Sequence, residues 1–369
     1  MRGANMKICF VGPANSAHII KWCTWFAERN HDIHVISFSK GEIGDVTVHY
    51  VDANVAVGQC DLKKINYLFK AGEIEKIIKE VSPDVISVHY ASSYGAVMAL
   101  TNIKNYVLSV WGSDVYDFPQ KSILHRLLIK YSLYRAGCLF STSKAMAIEC
   151  AKYTNKVFFI TPFGVDMELF KPNANKYKRE EFVLGTVKTL DDKYGISYLL
   201  KAVAILHKEH PEVRWKLRIA GRGPKEAKYK KLATDLGIQE MITWLGFISQ
   251  EQAAREWANM DVAVVYSTLD SESFGVSAVE ANSCGVPVIV ADVPGLMEAT
   301  KPGETSVVVK RKKPELLAYA IYELYKDDEH RKKMEVKARL FVKEYYEMNA
   351  CFSKIETIFR HIVDADTKI

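Results

Sequence analysis

Ser271-Glu272-Ser273-Phe274-Gly275-Val276-Ser277-Ala278-Val279-Glu280 runs directly into Ala281-Asn282-Ser283-Cys284-Gly285-Val286-Pro287-Val288-Ile289-Val290. Two glutamates stand eight residues apart with Phe-Gly between them, and Gly-Val-Pro leads into an apolar, β-branched run. The pattern predicts a loop, a helix and a buried strand, in that order. Gly275 carries no side chain, so a bulky anion can approach the backbone there. The N–H groups of 274–277 then become the unpaired donors of the first helical turn, which suit phosphate. Glu272, in the loop, can accept hydrogen bonds from hydroxyls. Glu280 lies about a turn and a half into the helix and can point back toward the same ligand. Two carboxylates beside a phosphate cradle fit a molecule with both hydroxyls and phosphates, such as a nucleotide sugar. The plain alternative is two solvated glutamates on one helix; a bare Glu-x7-Glu spacing occurs roughly once by chance in a chain this long.

Working outward, the 369 residues are more than one compact core holds, and two domains are expected. The composition is globular, with 49% hydrophobic and 25% charged residues. No apolar run reaches the length of a membrane span and no signal-peptide pattern opens the chain, which predicts a cytoplasmic protein. Seven cysteines without a Cys-x-x-Cys pair fit buried thiols in a reducing compartment, and indicate neither a zinc site nor a cysteine nucleophile. The net charge of +6 is uneven: residues 1–164 hold 18 Lys and Arg against 13 Asp and Glu. An acidic partner therefore meets the N-terminal half. That excess is modest and no recognition motif accompanies it, which disfavours nucleic acid.

β-branched runs alternate with helical patterns throughout. The strands predicted in the first half are 7–11, 33–38, 46–51, 84–88, 106–110, 138–141 and 157–161. In the second half they are 182–187, 215–220, 242–245, 262–266, 286–291 and 306–309. Such alternation implies parallel sheets with helices on both faces. Two series imply an α/β protein of two Rossmann-like domains facing across a cleft, with ligands at the carboxyl ends of the strands. Pro162-Phe163-Gly164-Val165-Asp166 ends the first series, and Lys171-Pro172-Asn173-Ala174-Asn175 reads as a linker. The expected domains are 1–164, 165–345 and a terminal segment, 346–369.

The extended string from Ser271 to Val290 resembles the signature of the family 4 retaining glycosyltransferases, whose fold is the glycosyltransferase B (GT-B) type. The resemblance spans nearly the whole chain and is strongest over 183–300. It implies that Glu272 holds hydroxyls of a donor sugar, that Glu280 holds the ribose, and that the backbone of Ser273, Phe274, Gly275 and Val276 meets the donor phosphates. Gly185-Thr186-Val187-Lys188-Thr189-Leu190-Asp191-Asp192-Lys193-Tyr194-Gly195 matches the family's Gly-Arg-Leu followed by a Lys and a Gly. Lys188 stands at the arginine position, Lys193 at the lysine position, and Tyr194 is one residue extra before the glycine. Two cations on a diphosphate neutralise the charge that develops as it leaves; alone, both would read as solvated lysines. Phe247 and Ile248, after the strand at 242–245, fall where the family's backbone meets the nucleotide base. Gly221-Arg222-Gly223 is weak by itself and reads as a tight turn. Pro294 stands where relatives commonly have glycine. The terminal helix of the fold crosses back to the first domain, which is expected here for 351–363.

The first half departs further from the family. The loop Gly12-Pro13-Ala14-Asn15-Ser16-Ala17-His18 follows the first strand where relatives carry Gly-Gly, so Gly12 keeps a donor-side place and Asn15 an acceptor-side one. Ser16 predicts an N-cap for a helix through Arg29. His18 is either a helix-face residue or a participant. His89, at a strand's carboxyl end, either lines the acceptor or donor site or caps a helix. Trp111 in Trp111-Gly112-Ser113-Asp114 replaces the family's histidine and can stack on a sugar ring. Asp114 either orients its loop or contacts an acceptor hydroxyl. Residues 121–135 read as a basic amphipathic helix: an ordinary packed surface helix, or a face resting on anionic lipid with Arg126, Lys130 and Arg135 at the headgroups.

The resemblance therefore implies a retaining glycosyltransferase using a nucleoside-diphospho-sugar, UDP-GlcNAc first, then GDP-mannose and UDP-glucose or galactose. The acceptor would be a saccharide, a lipid-linked or a small-molecule hydroxyl. No cofactor and no metal are expected, because the chain offers no Asp-rich metal motif. A nucleotide-sugar epimerase of the same fold and a non-catalytic nucleotide-sugar or glycan binder are the alternatives.

Overall fold

The computed structural model describes residues 5–54, 65–176 and 179–366. The chain divides into two compact units: residues up to Pro162 together with those from Phe352 on, and Phe163–Cys351. The first contains β1 (Lys7–Val11), β2 (Asp32–Ser37), β3 (Thr47–Tyr50), β4 (Val85–His89), β5 (Val107–Val110), β6 (Cys138–Ser141) and β7 (Phe158–Ile160). They form one parallel sheet in the order β3-β2-β1-β4-β5-β6-β7. The second contains β8 (Phe182–Val187), β9 (Trp215–Ala220), β10 (Ile242–Gly246), β11 (Val262–Val265), β12 (Val288–Ala291) and β13 (Ser306–Val309). Their parallel order is β10-β9-β8-β11-β12-β13.

The central strands are apolar on both faces because helices cover both. All four residues of β5, β11 and β12 are buried. Each sheet reverses its strand order once, between β1 and β4 and between β8 and β11. Loops leaving the carboxyl ends of two such strands diverge to opposite faces and open a crevice between them. That topology puts the loops after β8 and β11 side by side in one unit, and those after β1 and β4 in the other.

All thirteen predicted strands are present, with small shifts at their ends. β12 starts at Val288 rather than 286 because Pro287 has no N–H to give the ladder; its carbonyl accepts from the Ala263 N–H at 3.0 Å. Ser16 caps the helix Ala17–Ala27, its hydroxyl accepting from the His18 N–H at 3.3 Å. The helix stops short of the predicted Arg29, and Asn30 turns left-handed with φ 65°. The helix Asp328–Tyr345 packs on Val276–Ser283 inside the second unit. That unit therefore extends beyond 345, into the last helix, Met348–Asp366. The later turns of that helix pack on the first unit. Phe352 lies edge-on to Trp22 and Trp25, Phe359 stacks on Phe26 and Phe140, and Glu356 pairs with His31 at 3.3 Å.

The helix Ile123–Arg135 departs from its sequence pattern. Ile129 and Leu133 are buried, whereas Ile123, Leu124, Leu127, Tyr131 and Tyr134 are exposed, Leu124 and Tyr134 at 72% each. At 100° per residue these five form one stripe, so the helix has a second apolar face that nothing described covers. Arg135, expected at a surface, is instead held inward by the carbonyls of Ala99 and Thr101 at 3.1 and 2.8 Å. Among the described residues, no helix is long and apolar enough to cross a membrane. The six described cysteines are unbridged, and all but half-buried Cys138 are buried.

Candidate active site

The site in the second unit grows from β8. Beyond Val187 the chain continues as Lys188, whose N–H still donates to the Ala220 carbonyl of β9 at 2.9 Å. The turn Gly221-Arg222-Gly223 is the bed on which this segment lies. A Cβ on Gly221 would sit 2.0 Å from the Lys188 carbonyl oxygen, and one on Gly223 would sit 2.4 Å from that of Leu190. The two glycines therefore set the place of Lys188, a role that a Gly-x-Gly spacing alone did not reveal. Asp191 then caps the short 3-10 turn Asp192–Tyr194. The Lys193 carbonyl accepts from the Thr268 N–H at 2.8 Å, which ties the β8 loop to the β11 loop.

Glu272 comes from the β11 loop. One of its oxygens meets Lys188 Nζ at 3.0 Å, and the other accepts from the Ser267 hydroxyl at 3.2 Å. Lys193 Nζ donates to the Ser271 carbonyl at 3.2 Å. Glu272 is only 8% exposed, as is Glu280. Glu280 lies in the helix Val276–Ser283, and the indole N–H of fully buried Trp257 donates to it at 3.3 Å. Neither glutamate is the solvated surface residue of the plain reading, and only Glu280 is helical. A buried carboxylate costs several kcal/mol unless paired and hydrogen-bonded, and both are held.

The ring of Phe274 packs edge-on against Phe163 and Tyr346, both at 5.5 Å, which leaves the backbone for the role expected of it. Packing by itself already requires a glycine at 275. Its φ is +76°, and a Cβ would come within 2.8 Å of the Leu296 side chain. Ser273 is buried and Val276 half-buried, and the first intrahelical bonds are those accepted by the Gly275 carbonyl. The N–H groups of Val276 and Ser277 precede those bonds. Gly295, in the helix Pro294–Ala299, was not singled out in the sequence. A Cβ there would lie 2.4 Å from the Glu272 carbonyl oxygen. Pro294, which replaces a glycine of relatives, simply occupies the first turn of that helix. Ile248 is half-buried and Phe247 81% exposed; both follow β10, the edge strand.

In the first unit the residues singled out meet as an aromatic layer. His89 is fully buried, its ring 4.7 Å from that of Trp22, 5.4 Å from Trp111 and 5.6 Å from Phe10. Its Nε2 pairs with the Ser87 hydroxyl at 3.1 Å. Burial first, then the neighbouring His18, pulls its pKa down to about 3, so the ring is neutral. His89 therefore neither lines a surface nor caps a helix. It supports half-buried Trp111, against which His18 lies edge-on at 5.7 Å. Gly12 fits because a Cβ would press on Ile19 and His89, at 3.1 and 3.3 Å. Asn15 is exposed. Asp114 is fully buried and accepts the N–H groups of Ala91, Trp111 and Gly112 at 2.8, 3.1 and 2.8 Å. Burial pushes its carboxyl up while those bonds pull it down. It organises its loop, and its described hydrogen bonds all go to backbone N–H groups. Among the described residues, no three His, Cys, Asp or Glu side chains are grouped to hold a metal ion.

These two sheets, with paired cations and a carboxylate at the order reversal of the second, belong to a known class. Residues 7–143 match the family model described as Glycosyl transferase 4-like, and residues 167–341 the model described as Glycosyl transferases group 1. Together the two matches span most of the chain and make it a family 4-like glycosyltransferase. It is 24% identical over 354 residues, 92% of each chain, to N-acetyl-alpha-D-glucosaminyl L-malate synthase of Bacillus anthracis. Its fold is similar to that of sucrose-phosphate synthase from Thermosynechococcus elongatus, with TM-score 0.82 at 18% identity over 98% of this chain and 100% of that one. It is also similar to Anabaena HepE in complex with UDP, with TM-score 0.80 at 18% identity, 96% of this chain and 100% of the other. The fold is GT-B.

The packing of Gly295 on the Glu272 loop is testable by calorimetry. Gly295→Ala must displace backbone and lowers stability by about 1–3 kcal/mol. Gly72→Ala, in the helix Ala71–Val81 with open space around its Cβ position, is the control. It raises stability by about 0.4–1 kcal/mol. Equal thermal midpoints for the two variants would show that Gly295 is not a contact point.

Proposed function

We propose that this glycosyltransferase moves a hexose or N-acetylhexosamine from a nucleoside-diphospho-sugar, UDP-GlcNAc first, to an acceptor hydroxyl with retained anomeric configuration. The Lys188–Glu272 pair at 3.0 Å carries the reading. A carboxylate and a cation from neighbouring loops, with Lys193 beside them, offer one group for sugar hydroxyls and two for a leaving diphosphate. The carboxylate and the ammonium meet directly, so a donor placed between the two loops meets the ammonium with its phosphate oxygens and the carboxylate with its sugar hydroxyls. The two lysines then offset the negative charge that grows on the diphosphate as the glycosidic bond breaks. Glu280, oriented by Trp257, takes the ribose hydroxyls. The acceptor attacks from the leaving-group face with a phosphate oxygen receiving its proton, so no protein nucleophile and no metal is needed. Support for a uridine donor comes from HepE, solved with UDP and with UDP-glucose. Support for N-acetylglucosamine comes from the name of the Bacillus anthracis relative. His18 and Trp111 are the acceptor-side residues of this reading, Trp111 as a stacking wall.

The uncovered stripe of the helix Ile123–Arg135 favours a peripheral contact with anionic lipid. Lys121, Arg126 and Lys130 are exposed beside it, and no Asp or Glu occurs between Asp117 and Glu149. Apolar side chains entering the acyl boundary with cations at the headgroups suit such a surface. A lipid-linked acceptor would be met there.

Thermal unfolding with UDP-, GDP- and ADP-sugars and their nucleotides, in EDTA, tests the donor. A ligand at 100 times its dissociation constant stabilises by about 2.7 kcal/mol. A midpoint shift with one base supports a metal-free donor site, and no shift with any of them removes the assignment. Glu272→Gln keeps volume and is expected to lower transfer by about 100-fold or more with the fold intact; near-wild-type turnover would end the role of Glu272. Product analysis separates a new glycoside from an epimerised donor. For the lipid contact, co-sedimentation with vesicles containing phosphatidylglycerol is expected at low salt, and loss of it in Leu124→Glu/Leu127→Glu; a wild type that stays in the supernatant refutes the contact.

A further inference from the structure

Tyr194 is the residue by which the β8 loop exceeds the pattern it otherwise follows, and its ring meets both cations of the site. Lys188 Nζ lies 4.8 Å from the ring centroid and Lys193 Nζ 5.5 Å. Both distances fall within the roughly 6 Å over which the negative face of an aromatic ring attracts an ammonium. The ring belongs to a turn with little freedom. Gly195 closes it at φ +69°, and a Cβ there would lie 2.0 Å from the Tyr266 carbonyl oxygen. The Lys193 carbonyl is held by the N–H and hydroxyl of Thr268, at 2.8 and 3.2 Å. The Asp192 carboxylate is held by Lys228 Nζ and the Tyr229 hydroxyl, at 2.8 and 3.0 Å.

Two lysines reaching for one diphosphate pose a physical problem. Each is a point charge on a flexible four-carbon stem, without the rigid fork of arginine, and the two repel one another. The ion pair with Glu272 orders the Lys188 ammonium but also offsets its charge, and the Lys193 ammonium donates to the Ser271 carbonyl. A ring face orders the ammonium and leaves its charge and N–H donors for a second anion. We propose that Tyr194 is a positioning residue that holds Lys188 and Lys193 in place for the leaving diphosphate, supplying the order that an arginine at 188 would have brought. The proposal rests on the reading of the two lysines as diphosphate ligands.

The test compares wild type with Tyr194→Phe, which keeps the ring face, and Tyr194→Leu, which removes it. One measurement needs no substrate. Lysines are reductively methylated with carbon-13, and the resonances of 188 and 193 are assigned with Lys188→Arg and Lys193→Arg. Ring-current shifts are expected in wild type and in the Phe variant and are lost in the Leu variant. The second measurement is affinity for UDP against UMP, with GDP and GMP in parallel, and kcat against KM for the donor. The Leu variant is expected to bind diphosphate about tenfold more weakly, the cost of reordering two long side chains. Its monophosphate affinity and unfolding midpoint stay unchanged, kcat falls, and Phe restores all of it. Diphosphate affinity in the Leu variant equal to wild type overturns the proposal, as does a Phe variant as defective as Leu. Absent ring shifts alongside an intact preference for diphosphate overturn the role of Tyr194 alone. A wild type with no preference for diphosphate over monophosphate overturns the ligand reading of the lysines, and the proposal with it, whatever the resonances show.

Discussion

Glu272 sits almost entirely out of water, and a carboxylate in that position needs a cation or hydrogen-bond donors against it. Lys188 is that cation, and much of the second unit serves to keep the two apart in sequence yet adjacent in space. The reversal of strand order between β8 and β11 brings their loops together. Three glycines then let backbone lie directly on backbone: Gly221 under Lys188, Gly195 against Tyr266 and Gly295 against Glu272. Side chains at these points would push the loops apart and leave the buried charge alone.

The first unit solves a different problem with apolar means. Its loops converge at the equivalent reversal, but what meets there is a stack of rings, with neutral His89 beneath Trp111 and beside Trp22. Asp114 spends its charge on three backbone N–H groups, so it shapes the loop that carries Trp111. The same unit receives the last turns of the terminal helix through Phe352, Glu356 and Phe359. One unit is thus polar and cationic at its order reversal and the other largely aromatic.

Contacts add what residue type does not carry. Phe274 stands inside the most informative string of the chain and turns its ring into packing; Gly275 beside it leaves no room for a Cβ against Leu296. His89 and Asp114 have the side chains of catalysis and are buried as supports. Trp257, Ser267 and Gly295 carry no motif, yet they hold the two glutamates and their loop in place. The helix Ile123–Arg135 has apolar residues at helical spacing, which fits burial; which of its two apolar faces is covered depends on neighbours far along the chain.

The sequence by itself determined the number and order of strands, the two parallel sheets, the Ser16 cap and the family. These follow from local pattern: β-branched runs, turn residues and a cap are short-range properties of the chain. It also marked Lys188, Lys193 and Glu272, because their spacing resembles that of a known family. Only the tertiary structure decided that Lys188 and Glu272, eighty-four positions apart, form one buried pair, and that His89 lies beneath Trp111. It also decided that Tyr194 sits against two cations and that one apolar helix face remains uncovered. Burial and long-range pairing depend on which surfaces meet when the sheets and helices assemble, and no window of sequence contains that information.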